Sequence, residues 1–410
     1  MEKGYIARAF NKSPLFRIVN ENYDGFQEHY DRLYSAKYGK FRNCITYTMN
    51  RFILCGDPRE GVAKFSCTDC KVNLYVPFSC KTRLFCPTCH ERRILVWVEE
   101  IKSEFLLSVH HRFWTFSIPK RLRPYFMYNR NLLRLLIKSA NETFRKTLAL
   151  TGSRAVGIIA LVQTHGDTLE WNPHIHLIAT DGFMDYSDLK NPVFHPALYW
   201  NTNKMTESFR KEVITILHKK KIITDDVATN LASWEHSGFS VHATDPFLPN
   251  KGDTLRNRLS YAFRPPACLS RMEYDETVKS VTYETKKGLT LIFTAMEFLA
   301  KLTLHIPDHY QNVRIYIGYY SSKIRKFIKK ANPTSETKLN FSTWASCISR
   351  IFKTLPINCP NCKKEMEFEG FILKFSLIET YFPEISRAPP AKGFEPKVVG
   401  SVSVDYTFFD

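Results

Sequence analysis

The chain has 410 residues and a formal net charge of +18 at pH 7, with 44% hydrophobic and 14% aromatic residues. Such a composition excludes a disordered chain, and the length allows two or three domains, each with a core of its own. The excess of Lys and Arg favours a polyanionic partner, of which nucleic acid is the commonest, although any basic soluble protein shares that balance. No stretch of eighteen apolar residues occurs, so no transmembrane helix and no membrane partner are expected. The start, MEKGYIARAFNKSPLF, lacks an apolar stretch followed by a small-residue cleavage site, which reads as a cytoplasmic protein. Eleven cysteines in a reducing compartment point to metal rather than to disulfides.

In chain order, residues 14 to 54 carry Leu15, Ile18, Phe26, Tyr30 and Leu33 at helical spacing. A cysteine-rich stretch, Cys55 to Cys89, follows, and then a predicted helix from Arg93 to Leu107. Phe113–Ile118 is short, aromatic and ended by Pro119, as a strand would be. Asn131 to Leu150 has the leucine spacing of an amphipathic helix. Val156–Gln163 and His174–Thr180 are two apolar runs around a polar turn at Gly166-Asp167, which predicts an antiparallel pair. A helix is expected from Met205 to Leu217 and a third core strand at Phe239–Ala243. Another helix must end near Arg264, because Pro265-Pro266 cannot continue it. After about residue 286 the chain changes character, with a helix at Ala295–Leu302, a basic-aromatic stretch and a terminal CPNC. Strands and helices interleave without a steady βαβ rhythm, so the expected class is α+β with an antiparallel sheet. The expected division is 1–95 helical and metal-binding, 96–285 the main domain, and 286–410 a basic C-terminal region.

Cys67-x2-Cys70, fifteen residues, then Cys86-x2-Cys89 has the spacing of a four-cysteine zinc site, each CxxC turn offering two thiolates to one side. Cys55, Cys80 and His90 lie in the same segment and could extend or replace part of that set, so one or two Zn²⁺ ions fit the spacing. Cys359 and Cys362 supply half of a further site. No His or Cys follows them, so they either borrow ligands from upstream or are a remnant held by packing.

His174 and His176 flank Ile175 in NPHIHLIATDG. On a strand, residues i and i+2 share a face, so both imidazoles can meet one ion while Ile175 enters the core. Two ordinary histidines would give the same pattern. Tyr261 lies among Arg256, Arg258 and Arg264, a setting that would steady a phenolate whose free pKa is about 10. The chain holds 20 tyrosines, and Tyr274, Tyr283, Tyr319 and Tyr320 compete for the role.

Several stretches together carry more than any one of them: FILCGDPREG, FSCKTRLFCPTCHERR, SIPKRLRPYF, VQTHGDTLEWNPHIHLIATDG, SWEHSGFSVH, YAFRPPACLSRM, MEFLAKLTLHIP and LPINCPNCKKEM. In content and order the chain resembles the bacterial transposases of the insertion sequence ninety-one group and their common-region relatives, members of the HUH nuclease superfamily. The resemblance implies a sheet bearing the His pair, which would bind Mg²⁺ or Mn²⁺, and a helix placing Tyr261 opposite that metal. It implies a rolling-circle type transposase that nicks single-stranded DNA ends of a mobile element through a 5′-phosphotyrosine and joins them to target DNA. Where some members have a second tyrosine four residues earlier this chain has Asn257, so it resembles the single-tyrosine branch. Gln163 is the candidate third ligand of the divalent ion, with Asp167 and Glu170 as alternatives. His165 and His242 lie near these motifs without an assigned role. DNA contact is expected from the cysteine lobe and from Lys120, Arg121, Arg123, Arg256, Arg258, Arg264, Lys323, Arg325 and Lys326. A plasmid or phage replication initiator, or a non-catalytic DNA-binding derivative, are the alternative readings.

Overall fold

The structure, a computed structural model, describes residues 13–235, 237–249, 254–331 and 358–373. Parts of the expected C-terminal region, 332–357 and 374–410, and the first twelve residues lie outside them.

Helix α1 (Pro14–Leu33) starts at Ser13, whose hydroxyl accepts from the Phe16 N–H, with Pro14 in the first turn. A single turn α2 (Ser35–Tyr38) leads to α3 (Asn43–Ile53). Strands β1 (Val62–Ser66) and β2 (Asn73–Pro77) form a hairpin, and α4 (Pro87–Glu100) follows. The chain then enters the central sheet with β3 (His111–Ser117) and leaves it for α5 (Arg123–Tyr128) and α6 (Leu133–Thr147). Next come β4 (Arg154–Ala155), β5 (Gly157–His165), β6 (Trp171–Thr180), β7 (Gly182–Asp185) and β8 (Val193–Pro196). Helices α7 (Thr202–Lys219) and α8 (Asp225–Ser233) precede β9 (Ser240–Ala243) and α9 (Thr254–Ala262). A three-stranded meander β10 (Met272–Asp275), β11 (Ser280–Glu284) and β12 (Thr290–Thr294) runs into α10 (Ala295–Thr303). Then β13 (Arg314–Gly318), α11 (Ser322–Ala331) and β14 (Glu367–Ile372) close the described chain.

The central sheet has the order β13-β5-β6-β3-β9, with every pair antiparallel. The α+β expectation with an antiparallel sheet and the β5–β6 hairpin are therefore present. Alternation divides the sheet's two faces. Trp114, Phe116, Ile158, Ala160, Val162, Ile175 and Leu177 face α6 and α7, whose Leu136, Ala140, Phe144, Phe209 and Val213 belong to the same core. Truncating Trp114 or Phe116 there would cost roughly 3–5 kcal/mol. Phe113, Ile159, Leu161 and Ile178 face the other way, against Ile94, Trp97 and Val98 of α4 and Leu255, Leu259 and Ala262 of α9.

Two packing features cross the expected boundaries. Leu15, Phe26, Ile45 and Phe52 of the helices before residue 95 join the same core as Phe298 and Leu302 of α10. Arg42 fastens that junction by donating to the carbonyls of Thr303 and Ile306 and to Asp308. Beyond residue 285, β13 pairs with β5 from Gly157↔Gly318 to Leu161↔Arg314 and forms an edge of the central sheet. Gly318 ends that strand at φ 58°, where a Cβ would lie 1.9 Å from the Val156 carbonyl oxygen, so no other residue fits. The meander between these points was missed, although Met272/Tyr274, Val281/Tyr283 and Leu291/Phe293 alternate as strands should.

Candidate functional site

The register of the sheet assembles one polar patch on the α4/α9 face. Ser117 lies across from His174, and His174 across from Gln163; one step along, Thr115 lies across from His176, with His242 next in line on β9. Ile175, between the two histidines, is fully buried in the opposite face, as strand alternation requires. The imidazoles sit edge to face with centroids 4.8 Å apart.

Each ring has one nitrogen committed. His174 Nδ1 donates to the Asn172 carbonyl at 2.7 Å, and His176 Nδ1 pairs with the Thr115 hydroxyl at 3.1 Å. A donating Nδ1 leaves the Nε2 lone pair available, which is the tautomer a metal takes. Burial holds His174 below its ordinary pKa, and burial, His174 and Arg264 push His176 down to about 3. Both rings are thus neutral at pH 7. Gln163 is buried, its amide nitrogen donating to His165 Nε2 at 3.1 Å and to the His165 carbonyl, while its Oε1 has no hydrogen-bond partner. An orphaned buried oxygen directly across from His174 suits a third ligand. Glu170 does not compete, being paired with Lys301, and Asp167 is engaged elsewhere. His165 is wholly enclosed, with burial and His305 holding its pKa well below the ordinary value, and its Nε2 accepts from the Gln163 amide.

Tyr261 projects from the last turn of α9 and is 58% exposed. Two cations flank its ring, Lys286 with Nζ 4.2 Å from the centroid and the Arg264 guanidinium 5.4 Å from it. Asp167, in the β5–β6 turn, organises them: its Oδ2 accepts the Lys286 N–H at 2.7 Å, and its Oδ1 lies 3.7 Å from both Arg264 and Arg271. Arg264 Nε and Arg123 Nε are buried without a hydrogen-bond acceptor, and Arg271 Nη1 has only the 3.7 Å approach to Asp167. Tyr261, Arg264, Arg271 and Lys286 line a cavity of about 420 Å³ whose far wall is Pro87, Thr88 and Glu91 of α4. Sequence reading missed Arg271 and Lys286, because only the meander's fold brings them to the tyrosine.

Other basic residues are placed less uniformly. Lys120, Lys323 and Lys326 are exposed, and Arg121 lies 5.9 Å from the Trp234 ring. Arg325 is instead laid on the Phe105 ring at 4.3 Å with its Nε donating to the Tyr320 carbonyl, so it fixes α11 to the body. Arg258 is exposed beside Phe113, and Arg256 is half-buried.

The cysteines regroup. Cys67, Cys70, Cys86 and Cys89 do not meet around one point: Cys55, Cys80, Cys86 and Cys89 form one buried set, and Cys67, Cys70, Cys359 and Cys362 another. Sulfur separations of 3.4 Å (Cys55–Cys89), 3.6 Å (Cys80–Cys89) and 3.5 Å (Cys67–Cys362) match the roughly 3.8 Å edge of a tetrahedron with Zn–S of about 2.3 Å. In the first set the contact with Cys55 raises the Cys80 and Cys86 thiols and lowers Cys89, since four crowded thiols cannot all ionise without a cation among them.

The second set is two matching knuckles. In CTDCK, Lys71 N–H donates to the Cys67 carbonyl and Lys71 sits at φ 55°; in CPNCK, Lys363 N–H donates to the Cys359 carbonyl and Lys363 sits at φ 63°. Their strands pair as β14-β1-β2, so the last described segment closes one ribbon with the β1–β2 hairpin. Cys359 and Cys362 thus lie beside the upstream pair Cys67 and Cys70, in a grouping that could hold a metal ion. His90 is no ligand, both of its nitrogens being hydrogen-bonded to protein.

Elemental analysis is expected to find two zinc ions per chain. Cys359→Ser and Cys67→Ser should each remove the same single ion, the double variant no more than that, and Cys86→Ser the other. Two ions retained in Cys359→Ser would refute this grouping. The loss should also unfold the ribbon, since structural zinc contributes on the order of 10–16 kcal/mol in small peptides.

Two family models match the chain. One, described as "Transposase zinc-binding domain", covers residues 25–118, and one described as "Putative transposase" covers 157–326, so Cys359 and Cys362 lie outside both. The chain is similar to the "Transposase for insertion sequence element IS801" of Pseudomonas savastanoi pv. phaseolicola, 24% identical over 363 positions covering 82% of this chain and 85% of the relative. It is similar also to the "Putative transposase y4qJ" of Sinorhizobium fredii, 23% identical over 321 positions covering 72% of this chain and 79% of the relative. No solved structure matches it. No helix among the described residues is long and apolar enough to cross a membrane.

Proposed function

The chain belongs to the insertion sequence ninety-one family of transposases, and we propose that it nicks single-stranded DNA at the ends of its own element through Tyr261, by an HUH-type rolling-circle route. The observation that carries this reading is an exposed tyrosine between two cations, on a helix packed over the face that holds His174, His176 and Gln163.

When bound by His174 Nε2, His176 Nε2 and Gln163 Oε1, an Mg²⁺ or Mn²⁺ ion would polarise an oxygen of the scissile phosphate. The protein's own groups do the rest. Arg264 and Arg271, which line the cavity beside Tyr261, offer guanidinium charge to the phosphate. Lys286 and Arg264 lie against the Tyr261 ring, so their charge meets the phosphate that the tyrosine attacks. The Tyr261 oxygen forms a bond to phosphorus as the bond to O3′ breaks, and the proton lost by the phenol ends on that O3′. This leaves a 5′-phosphotyrosine and a free 3′-hydroxyl, and attack by a 3′-hydroxyl of another strand reverses the chemistry to join ends. With Asn257 one turn before Tyr261, a single tyrosine serves each active site. Exposed Lys120, Lys323 and Lys326 supply sequence-independent phosphate contacts.

The test is cleavage of end-labelled single-stranded oligonucleotides tiling the DNA on both sides of the gene, with Mn²⁺ or Mg²⁺. One strand should be cut at discrete positions near the element's ends, and its duplex left intact. Cleavage of duplex only, or cleavage undiminished by chelation of divalent ions, would contradict the reading.

A further inference from the structure

The Cys55/Cys80/Cys86/Cys89 cluster lies next to the tyrosine helix rather than on a separate arm. Cys86 caps α4, and Cys89 and His90 are in its first turn. His90 is 1% exposed, and its two nitrogens have different duties. Nδ1 accepts the Leu84 N–H at 3.3 Å, in a loop where Leu84 is held at φ 56°. That fixes the hydrogen on Nε2, which donates at 2.7 Å to the carbonyl of Phe263. Phe263 is two residues beyond Tyr261 and one before Arg264, at the point where Pro265 and Pro266 deny the helix any further backbone donor of its own. The Phe263 ring also rests on His90 and Trp97, with centroids 5.1 and 6.0 Å away.

We propose that His90 is a positioning residue for the nucleophile: through its Nε2–H bond to the Phe263 carbonyl, the cysteine cluster sets where the end of α9, and hence Tyr261 and Arg264, stands over the histidine face. The inference rests on Tyr261 being the nucleophile. The cluster then serves the chemistry by holding geometry, in addition to whatever DNA its lobe contacts. Misplacing a reacting group by about 1 Å can cost on the order of a hundredfold in rate, and one missing hydrogen bond at a helix end permits a displacement of that size.

Two substitutions separate the roles of the ring nitrogens. In His90→Gln the amide nitrogen falls near Nε2 and can still donate to Phe263; in His90→Asn the amide oxygen falls near Nδ1 and serves only Leu84. The experiment measures, for the full chain, zinc content, affinity for a cleavable single strand, the rate of covalent adduct formation at saturating DNA, and hydrogen exchange of the α9 amides. His90→Asn should keep two zinc ions and its DNA affinity, form adduct about ten- to a hundredfold more slowly, and exchange its α9 amides faster. His90→Gln should restore both rate and protection. A His90→Asn protein that forms adduct at the wild-type rate overturns the proposal, as does loss of zinc in both variants, which would assign His90 to the folding of the cysteine lobe alone. A wild type that forms no adduct would instead remove the tyrosine assignment beneath it.

Discussion

A Tyr261→Phe protein is expected to bind the element's single-stranded end as the wild type does and to form no detergent-stable protein–DNA adduct. The substitution removes one oxygen from a side chain that is 58% exposed, so stability should stay within about 0.5 kcal/mol. Affinity should hold because the phosphate contacts come from Lys and Arg. The ring remains, so Lys286 and Arg264 keep their packing. Only the nucleophile is gone. Among the competitors, Tyr283, Tyr319 and Tyr320 are buried, and Tyr274 is bound to Asn22 and Glu21, so none can reach a phosphate without rearranging the core. Adduct of normal yield in Tyr261→Phe would move the chemistry to another residue.

The second large effect is expected at the histidines. His176→Ala should lower the cleavage rate by at least about a hundredfold at the Mn²⁺ concentration that just saturates the wild type, because the divalent ion contributes several kcal/mol of charge stabilisation and each 1.4 kcal/mol is roughly tenfold. Single-strand affinity and its salt dependence should barely change. His176 lies half-buried on a strand whose core-facing neighbours, Ile175 and Leu177, are untouched, so the fold should survive. The rate should also recover partly at higher Mn²⁺ concentration, since His174 and Gln163 remain. A His176→Ala protein that cleaves normally across the Mn²⁺ titration would exclude this residue from the metal site.

The sequence carried much of this site and missed the rest for local reasons. A His-Ile-His run on a strand determines its own geometry, because alternation alone puts both imidazoles on one face. Gln163 was a candidate only from the family resemblance and its place at the end of the preceding strand, and the β5–β6 pairing sets it across from His174. The tyrosine helix was legible from its proline stop. The cysteines were not, because a CxxC turn states which two sulfurs belong together but nothing about which other pair they meet. That choice depends on β14 returning to β1, a contact between residues about three hundred positions apart. Likewise Lys286 and Arg271 looked like ordinary surface charge until the meander turned back over α9. Arg325 read as a DNA contact for the opposite reason: its charge is visible in sequence, and its stacking on Phe105 is not.

The central claim, a covalent route through Tyr261, is tested most directly by locating the nucleotide. Wild-type protein is incubated with a cleavable single strand and Mn²⁺, digested with nuclease and protease, and the peptides are weighed. A single modified peptide is expected, carrying the 5′-phosphate of the cut strand on Tyr261. A nucleotide attached to any other residue, or complete cleavage with no modified peptide, would contradict it.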